Sequence, residues 1–510
     1  MKKESVFLGA SVLILTNGAV KVLSLIYRGV LIRLIGAEGL GLTELMSPFY
    51  SFLLVIASLG VPPAISNFIS AERSAKGVAD IVRTGTIVLV VSSSLVIAVT
   101  SLFFPIIAPL VFSDARVIPG FVTLVPTIFL ISVFSSLRGF FQGSRLVSCI
   151  GKSQVVEQSI RVAAGIGIVV LLCSRNAPLP VILVGFAAAS LLAESGGGIY
   201  LLCRYRKIPG KSSGTFRSGL AGKMIKTGVP ITMSRLVLSV IPAIQAVLIP
   251  AALTSHGATA AEAASFFGLF IGVAVTVLHL PSVVTGALTT PLIPAIAAAD
   301  SRGLTELRNR RIEKSIAYTY IVTVPILLLL FCFAEELCDI LFASPEAGPM
   351  LALLSLGGIF IYVQQPIIAI LQGMNRFGRL FCHYAVTGAV YLAGLFFLGR
   401  SDSFSLHWLI LVFLSDDLLL FLINYLYLKK LTGFHVPILK NYLSPLLFAA
   451  VSFILMDFIQ KQMTRIPVTD IAAVTVSACC FLFLYLSLLI LFGVIDKALI
   501  SSLLPRQKRR

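Results

Sequence analysis

The amino-acid sequence predicts an all-α polytopic membrane protein with about 14 transmembrane helices, arranged as two pseudo-symmetric six-helix lobes and two C-terminal helices. Composition, apolar segments of span length and an internal repeat lead to this prediction. The 510 residues are 57% hydrophobic and 12% charged, and the mean hydropathy is +1.00. Soluble domains are nearer to half apolar and a quarter charged. The composition therefore excludes a large soluble catalytic domain.

Apolar segments long enough to cross a bilayer, which takes about 20 residues, recur along the chain. The predicted spans are 6–35, 45–70, 84–112, 118–142, 155–174, 179–203, 227–253, 264–298, 315–334, 348–373, 381–399, 405–428, 441–460 and 469–495. The first resembles a secretory signal, but its apolar pattern continues past Lys21 and no small-residue cleavage site follows. We therefore interpret it as a retained helix.

The distribution of basic residues predicts the orientation. With both termini in the cytoplasm, 31 of the 40 Lys and Arg residues fall in cytoplasmic segments, with Arg138 and Arg161 among them, and five fall outside. This asymmetry follows the positive-inside rule and predicts a multi-pass protein of the cytoplasmic membrane. The net charge of +18 is thus explained by the orientation of the chain in the membrane, and we expect no nucleic-acid partner.

Three landmarks recur after the longest polar stretch. The sequence LRGFFQGSR ends span 4 and IAILQGMNR ends span 10, which separates Gln142 from Gln372 by 230 residues. The prolines of PPAIS and IPAIA, and the first helices of the two halves, recur similarly. Repeated bundles are typical of secondary transporters. The predicted regions are an N-lobe (1–203), a cytoplasmic linker (204–226), a C-lobe (227–428), and spans 13 and 14 with a basic tail (429–510).

With Arg138 and Arg161, near the ends of their spans, counted among the cytoplasmic segments, four cations remain at membrane depth, where a charge costs at least ~2.5 kcal/mol. They are Lys21, Arg28, Arg33 and Arg235. Lys21 and Arg28 are two helical turns apart and share one helix face, which Asn17 extends. If Arg235 on span 7 faces this stripe, the result is a cationic cavity for an anionic substrate. Alternatively, the cations snorkel or pair with an acid such as Glu44 or Glu194.

Other polar residues in the spans have two interpretations each. Gln245 would line the cavity or form a hydrogen bond between helices. Glu194, Asp416 and Asp417 would couple transport to an ion or, equally, form interhelical hydrogen bonds. The eight cysteines lack metal-binding spacing, and no GxxxxGK[ST] loop indicates ATP hydrolysis. We expect no metal and no cofactor, with transport driven by the membrane potential or an ion gradient.

Four segments carry a family resemblance. They are RGFFQGSRLVSCIGKSQVVEQSIRV after span 4, SLGVPPAISNFIS in span 2, PITMSRLVLSV in span 7 and LPSVVTGALTTPLIPAIAAA in span 8. They resemble stage V sporulation protein B-like polysaccharide exporters of the multidrug/oligosaccharidyl-lipid/polysaccharide (MOP) superfamily, which includes MATE transporters and MurJ-type lipid II flippases. Arg138, Gly139, Gln142 and Gly143 form the most specific motif, to which we assign a structural role.

The resemblance implies a MATE/MurJ-like fold and an alternating-access flippase for undecaprenyl-diphosphate-linked sugars, serving spore cortex peptidoglycan. The MurJ type has cavity arginines on spans 1, 2 and 8. Here span 1 has Lys21 and Arg28, spans 2 and 8 have none, and Arg235 is a candidate substitute. Implied partners are the lipid-linked saccharide, the bilayer and wall-synthesis enzymes. The alternatives are a multidrug or cation antiporter, a membrane glycosyltransferase or polymerase, and a wall-synthesis scaffold.

Overall fold

The computed structural model describes residues 6–208, 213–289, 292–402, 404–434, 443–463 and 470–494, and these residues are almost entirely helical. The helices are α1 (Val6–Ser58), α2 (Val61–Ala71), α3 (Ala75–Val111), α4 (Ile118–Gly143), α5 (Val147–Ser174), α6 (Leu179–Arg206), α7 (Ser218–Ser255), α8 (Ala260–Phe267), α9 (Thr276–His279), α10 (Ser282–Thr289), α11 (Leu292–Ser301), α12 (Thr305–Cys332), α13 (Ala334–Phe342), α14 (Gly348–Gly373), α15 (Phe377–Leu398), α16 (Leu406–Thr432), α17 (Ser444–Met463) and α18 (Asp470–Leu491). Part of the predicted linker and the basic tail from Lys497 lie outside the described residues.

Eleven helices in the described ranges are long and apolar enough to cross a membrane. The first of them, Leu15–Ser58, covers most of the first predicted span and part of the second. Three shorter apolar helices occur at Leu292–Ser301, Ser444–Phe458 and Thr475–Leu491. The predicted 14 spans are consistent with this set once the merged and broken helices are assigned. The chain is a multi-pass membrane protein.

The first two predicted spans are joined and interrupted by glycines. Within α1 the backbone turns at Gly36, whose φ of 71° favours glycine. Leu59 and Gly60 both have positive φ and separate α1 from α2. Pro62 then lies in the first turn of α2, where its missing N–H breaks no helical hydrogen bond. Span 2 therefore consists of the second half of α1 followed by α2.

The predicted span 264–298 is also discontinuous. It begins with α8, continues as a π-helix over Gly268–Val275, and then passes through α9, α10 and α11. Two glycines let α8 approach α1, since a Cβ on Gly41 would lie 1.8 Å from the Ala264 carbonyl oxygen and a Cβ on Gly268 2.2 Å from that of Ala37. The backbone between α9 and α10 includes Pro281, which cannot donate a helical hydrogen bond.

The sequence repeat is reproduced in the backbone. Arg145 has a φ of 59° and Asn375, 230 positions later, a φ of 58°. Short 3₁₀-helices precede α4 at Ala115–Val117 and α14 at Pro345–Ala347. The Arg145 N–H donates to the Gln142 carbonyl (3.1 Å), and Asn375 donates to Gln372 in the same way (2.9 Å). The repeated sequence therefore encodes the same turn twice.

Glycine packing repeats as well. A Cβ on Gly143 of α4 would lie 2.6 Å from the Ser66 carbonyl oxygen in α2. A Cβ on Gly373 of α14 would lie 2.7 Å from the Ile293 carbonyl oxygen in α11. Small residues allow helix backbones to approach closely in membranes. Each QG motif thus ends a helix that packs directly against a neighbour.

The chain forms two compact units. Unit 1 takes residues up to Gly272 with Leu341–Ala343 and Leu392–Phe404, and unit 2 takes the remainder. Helix α7, which the sequence places in the C-lobe, belongs to unit 1. It begins at Ser218 and α6 ends at Arg206, so helix occupies both ends of the polar stretch 204–226. The lobe and linker boundaries stay a prediction.

The segment before α7 is attached to α3 by side chains. The Asp80 carboxylate accepts a hydrogen bond from the Thr215 N–H (2.7 Å) and pairs with Arg217 (2.7 Å). Arg83 donates to the Gly214 carbonyl (3.0 Å). These contacts, together with a core between α2 and α7 built on residues such as Met224, hold α7 in unit 1.

Each unit has its own apolar core. In unit 1, side chains from α2 to α7 surround Phe141 and Leu201. In unit 2, side chains from α11, α12, α14, α15 and α16 surround Ile316 and Ile370. Helices α17 and α18 join unit 2 through α12, where the buried Tyr485 hydroxyl donates to the Ile321 carbonyl (2.8 Å).

Candidate functional site

A polar cavity of about 440 Å³ lies within unit 1, enclosed by α1, α4, α5 and α6. Its volume lies in the range of small-ligand sites and would hold about fifteen waters at ~30 Å³ each. The charged residues that line it are Arg28, Glu44, Arg138, Glu157, Arg161 and Glu194. The cavity therefore contains three guanidinium groups and three carboxyl groups.

Four of these residues form one ion-pair network across α4, α5 and α6. Arg161 contacts both Glu157 and Glu194 at 2.9 Å and donates to the Gln158 side chain at 3.0 Å. Arg138 contacts Glu157 at 2.9 Å and Glu194 at 3.5 Å. Glu157 and Arg161 are four residues apart on α5 and so share a helix face. The negative charges of Glu157 and Glu194 are therefore balanced by the two arginines.

A separate ion pair, between Arg28 and Glu44, joins the two halves of α1. Arg28 lies before the kink at Gly36 and Glu44 after it, and their side chains are 3.0 Å apart. The Arg28 guanidinium also donates to the Gly272 carbonyl in the π-helix (3.5 Å). A π-helix shifts carbonyls out of the regular α-helical pattern, and such segments frequently occur at functional sites.

Aromatic and hydroxyl side chains complete the lining. Tyr27 is 5% exposed, stacks on Phe186 with ring centroids 6.2 Å apart, and its hydroxyl has no hydrogen-bond partner among the described residues. The Tyr50 hydroxyl accepts a hydrogen bond from Thr127 at 2.8 Å. The Arg138 Nε–H is buried and also lacks an acceptor within the described structure. Two buried donors at the cavity wall are thus left without an acceptor in the described structure.

Of the residues predicted to bind the anionic substrate, the structure places Arg28 in this cavity. Lys21 and Asn17 on α1 and Arg235 on α7 are exposed and are not part of its lining, while Gln245 is buried within α7. The described cavity is balanced in charge, because each cation that lines it contacts a glutamate.

Arg138 and Arg161, which the prediction counts with the cytoplasmic segments, lie inside helices and pair with carboxylates in the cavity. Their nearness to predicted span ends concealed this. Two features of the sequence could have indicated the inward position of these arginines: the four-residue spacing of Glu157 and Arg161, and the acidic residue Glu194 within span 6. Arg138 thus lines the cavity in addition to belonging to the motif.

The other residues of that motif have packing positions. A Cβ on Gly139 would lie 2.6 Å from the Pro62 carbonyl oxygen, and Gly143 approaches α2 in the same way. Gln142 is exposed, and its carbonyl accepts from Arg145 in the turn after α4.

Asp416 and Asp417 lie in unit 2, on α16. The Asp416 Oδ1 atom is buried without a hydrogen-bond partner in the described part of the chain, as are the Gln364 Oε1 atom and the Tyr391 hydroxyl on neighbouring helices. No group of three or more His, Cys, Asp or Glu residues in the described ranges is arranged to hold a metal ion.

Comparison with known proteins identifies the family. The sequence profile described as polysaccharide biosynthesis protein matches residues 6–300. Stage V sporulation protein B of Bacillus subtilis (strain 168) is 27% identical over 414 residues, which is 78% of each chain. Lipid II flippase MurJ of the same organism is 27% identical over 209 residues, covering 39% of this chain and 38% of that one.

Solved structures share the fold. Lipid II flippase MurJ in an inward closed conformation aligns with a TM-score of 0.71 at 12% identity, covering 96% of this chain and 100% of that one. An inward-facing multidrug resistance MATE family transporter of the MOP superfamily aligns with a TM-score of 0.62 at 15% identity, covering 81% and 94%. The expected MATE/MurJ-like helical fold is confirmed. The chain belongs to the polysaccharide biosynthesis protein family.

Proposed function

We propose that this protein is an alternating-access flippase that moves undecaprenyl-diphosphate-linked sugars across the cytoplasmic membrane, for spore cortex peptidoglycan. The observation that carries the proposal is the cavity of unit 1, where three arginines and several uncharged polar groups are enclosed by apolar helices. The names of two relatives, a stage V sporulation protein and a lipid II flippase, support the substrate class.

The chemistry of the substrate matches this lining. A diphosphate is anionic and rich in acceptors, and arginine presents planar N–H pairs that bind phosphate oxygens. Sugar hydroxyls require hydrogen-bonding partners when they leave water, and side chains such as Tyr27, Gln158 and Ser190 supply them. The polyprenyl chain would remain in lipid while the headgroup passes through the protein.

We propose that both termini lie in the cytoplasm, as the distribution of basic residues predicts. Outward movement of a negative headgroup is then favoured by an inside-negative potential, by about 2.3 kcal/mol per charge per 100 mV. Glu194, Asp416 and Asp417 are the candidate groups for coupling to an ion gradient. Lys21, Asn17, Arg235 and Gln245 remain candidates for contacts with the substrate along its path. Wall-synthesis enzymes are the proposed protein partners.

A flipping assay tests the function. In vesicles that contain the purified chain, labelled lipid II added to one leaflet should become accessible on the other. The variant Arg28→Ala should reduce the rate, while the matched variant Arg310→Ala, at an exposed helical ion pair, should not. Absence of flipping by the wild-type chain would contradict the proposal. Deletion in the native cell should leave spores without cortex and with accumulated lipid-linked precursor.

A cation antiporter is a second candidate, because the cavity also contains three carboxyl groups. Carboxylates bind cationic drugs, and a MATE transporter shares the fold. Here each cavity glutamate is in contact with an arginine, which reduces its attraction for a second cation. Proton- or sodium-dependent export of a cationic dye by the purified chain, without lipid flipping, would favour this candidate.

A further inference from the structure

The two arginines of the network use their donors differently. Arg161 makes three short contacts, to Glu157, Glu194 and Gln158, all between 2.9 and 3.0 Å. Arg138 makes one contact of 2.9 Å to Glu157 and a longer one of 3.5 Å to Glu194. Its Nε–H is buried and has no acceptor among the described residues. Arg138 therefore retains binding capacity that Arg161 has already used.

The exposed fractions indicate which groups a ligand would meet first. The side chains of Arg138 and Arg161 are 27% and 25% exposed, whereas those of Glu157 and Glu194 are 13% and 9% exposed. The arginines are thus the more accessible members of the network, and the glutamates lie deeper. Together with the unpartnered Tyr27 hydroxyl, this leaves the cavity with unused donors. Such a lining suits a ligand whose surface consists of acceptors.

We infer that Arg138 binds the diphosphate of the substrate, and that Glu194 occupies part of its guanidinium group while the cavity is empty. This inference rests on the proposed function and names a binding residue within its site. Carboxylate and phosphate oxygens engage the same N–H pairs of a guanidinium group. A diphosphate oxygen can therefore replace Glu194 at its 3.5 Å contact. When the guanidinium group turns toward the ligand, the Nε–H of Arg138, which is buried in the empty cavity, becomes a further donor.

The network allows this exchange without isolating a carboxylate. When Arg138 turns to the ligand, Glu194 and Glu157 both keep their 2.9 Å contacts with Arg161. A buried charge left without a partner would be strongly destabilising, and Arg161 prevents that. Arg161 thus holds the two acids, and Arg138 is the residue that changes partner.

The test measures binding of inorganic pyrophosphate and of undecaprenyl diphosphate to the full chain in lipid nanodiscs. We expect Arg138→Gln to weaken the binding of both about tenfold or more, through loss of a charged hydrogen-bonding partner. Arg138→Lys keeps the charge without the planar N–H pairs, so its loss should be smaller. Glu194→Gln removes the competing charge and should strengthen binding several-fold. Glu306→Gln, at the exposed Arg310 pair, is the matched control and should have no effect.

The increased affinity expected for Glu194→Gln distinguishes a role of the network in binding from a purely structural role. If the network only maintained the fold, Arg138→Gln and Glu194→Gln would both weaken binding, and that result would overturn the inference. So would unchanged affinity in an Arg138→Gln protein whose thermal unfolding matches wild type. If Arg138→Gln does not fold, the pair Arg138→Lys and Glu194→Gln must still change affinity in opposite directions.

The two probes and the flipping assay distinguish the levels of the proposal. If the wild-type chain flips lipid II while Arg138→Gln and Glu194→Gln both bind the probes with unchanged affinity, the role of Arg138 is rejected and the flippase function is retained. Equal affinity for the two probes, without flipping, would retain Arg138 as a diphosphate ligand and reject the lipid-linked substrate. Tighter binding of undecaprenyl diphosphate supports both.

Discussion

Replacement of Arg161 by glutamine gives the sharpest test of the ion-pair network. The substitution removes the only cation that contacts both Glu157 and Glu194 at 2.9 Å within the described structure. Glu194 would then rely on Arg138 at 3.5 Å. Breaking a buried pair costs about 3–5 kcal/mol. Because the Arg161 side chain is 25% exposed toward a cavity, we expect the lower end, about 3 kcal/mol.

The loss should appear as a reduced free energy of unfolding of the full chain in detergent, measured with denaturant. Arg310→Gln is the control, since its pair with Glu306 is largely exposed and such pairs contribute about 0–1 kcal/mol. The double variant Arg161→Gln/Glu194→Gln should recover at least about 1 kcal/mol, because it removes the isolated carboxylate. An Arg161→Gln protein as stable as Arg310→Gln would refute the reasoning.

Two further substitutions test packing and pH dependence. Gly143→Ala would place a Cβ 2.6 Å from a backbone oxygen of α2 and should lower the thermal unfolding temperature. The control Gly167→Ala, whose Cβ would have no neighbouring atom within 4 Å, should maintain or raise that temperature. Equal effects of the two substitutions would contradict the close packing of α4 on α2 at Gly143. Burial alone would raise the pKa of Asp114, but hydrogen bonds from the Arg116 side chain and N–H outweigh it and hold the pKa below the ordinary 3.8. The stabilisation by ionised Asp114 is therefore complete at neutral pH and is lost as the pH falls through the depressed pKa, below about 4. Asp114→Asn should make unfolding less sensitive to pH on the acid side of about pH 4, and an unchanged pH profile would reject the assignment.

Those features of the fold that depend on local sequence could be predicted. Span length follows from apolar runs, and the QG motifs at Gln142 and Gln372 identified two turns whose backbone conformations agree at Arg145 and Asn375. The assignment of α7 to unit 1 could not be predicted in this way. It depends on contacts between residues far apart in the chain, such as Asp80 with Arg217.

The candidate site was predicted only in part for the same reason. Distance from predicted span ends selected Arg28, which lines the cavity of unit 1, but it grouped Arg138 and Arg161, which line the same cavity, with the cytoplasmic charges. Whether an arginine near a helix end turns outward or inward depends on the acids on adjacent helices. Glu194 on α6 supplies that acid here, and one-dimensional spacing does not show that α6 packs beside α4 and α5.

Charge balance in the cavity has a physical consequence for the proposed transport. Three uncompensated arginines in an empty carrier would be expensive to keep away from water at every step of the cycle. Pairing each arginine with a glutamate avoids this, but it also means that an anion must compete with a carboxylate for every guanidinium group. Selectivity then depends on geometry more than on net charge: a diphosphate that engages several N–H groups at once gains over a single carboxylate, whereas a chloride ion does not. A carrier built in this way would exclude small anions while it releases its substrate readily, because Glu194 reclaims Arg138 as the headgroup leaves.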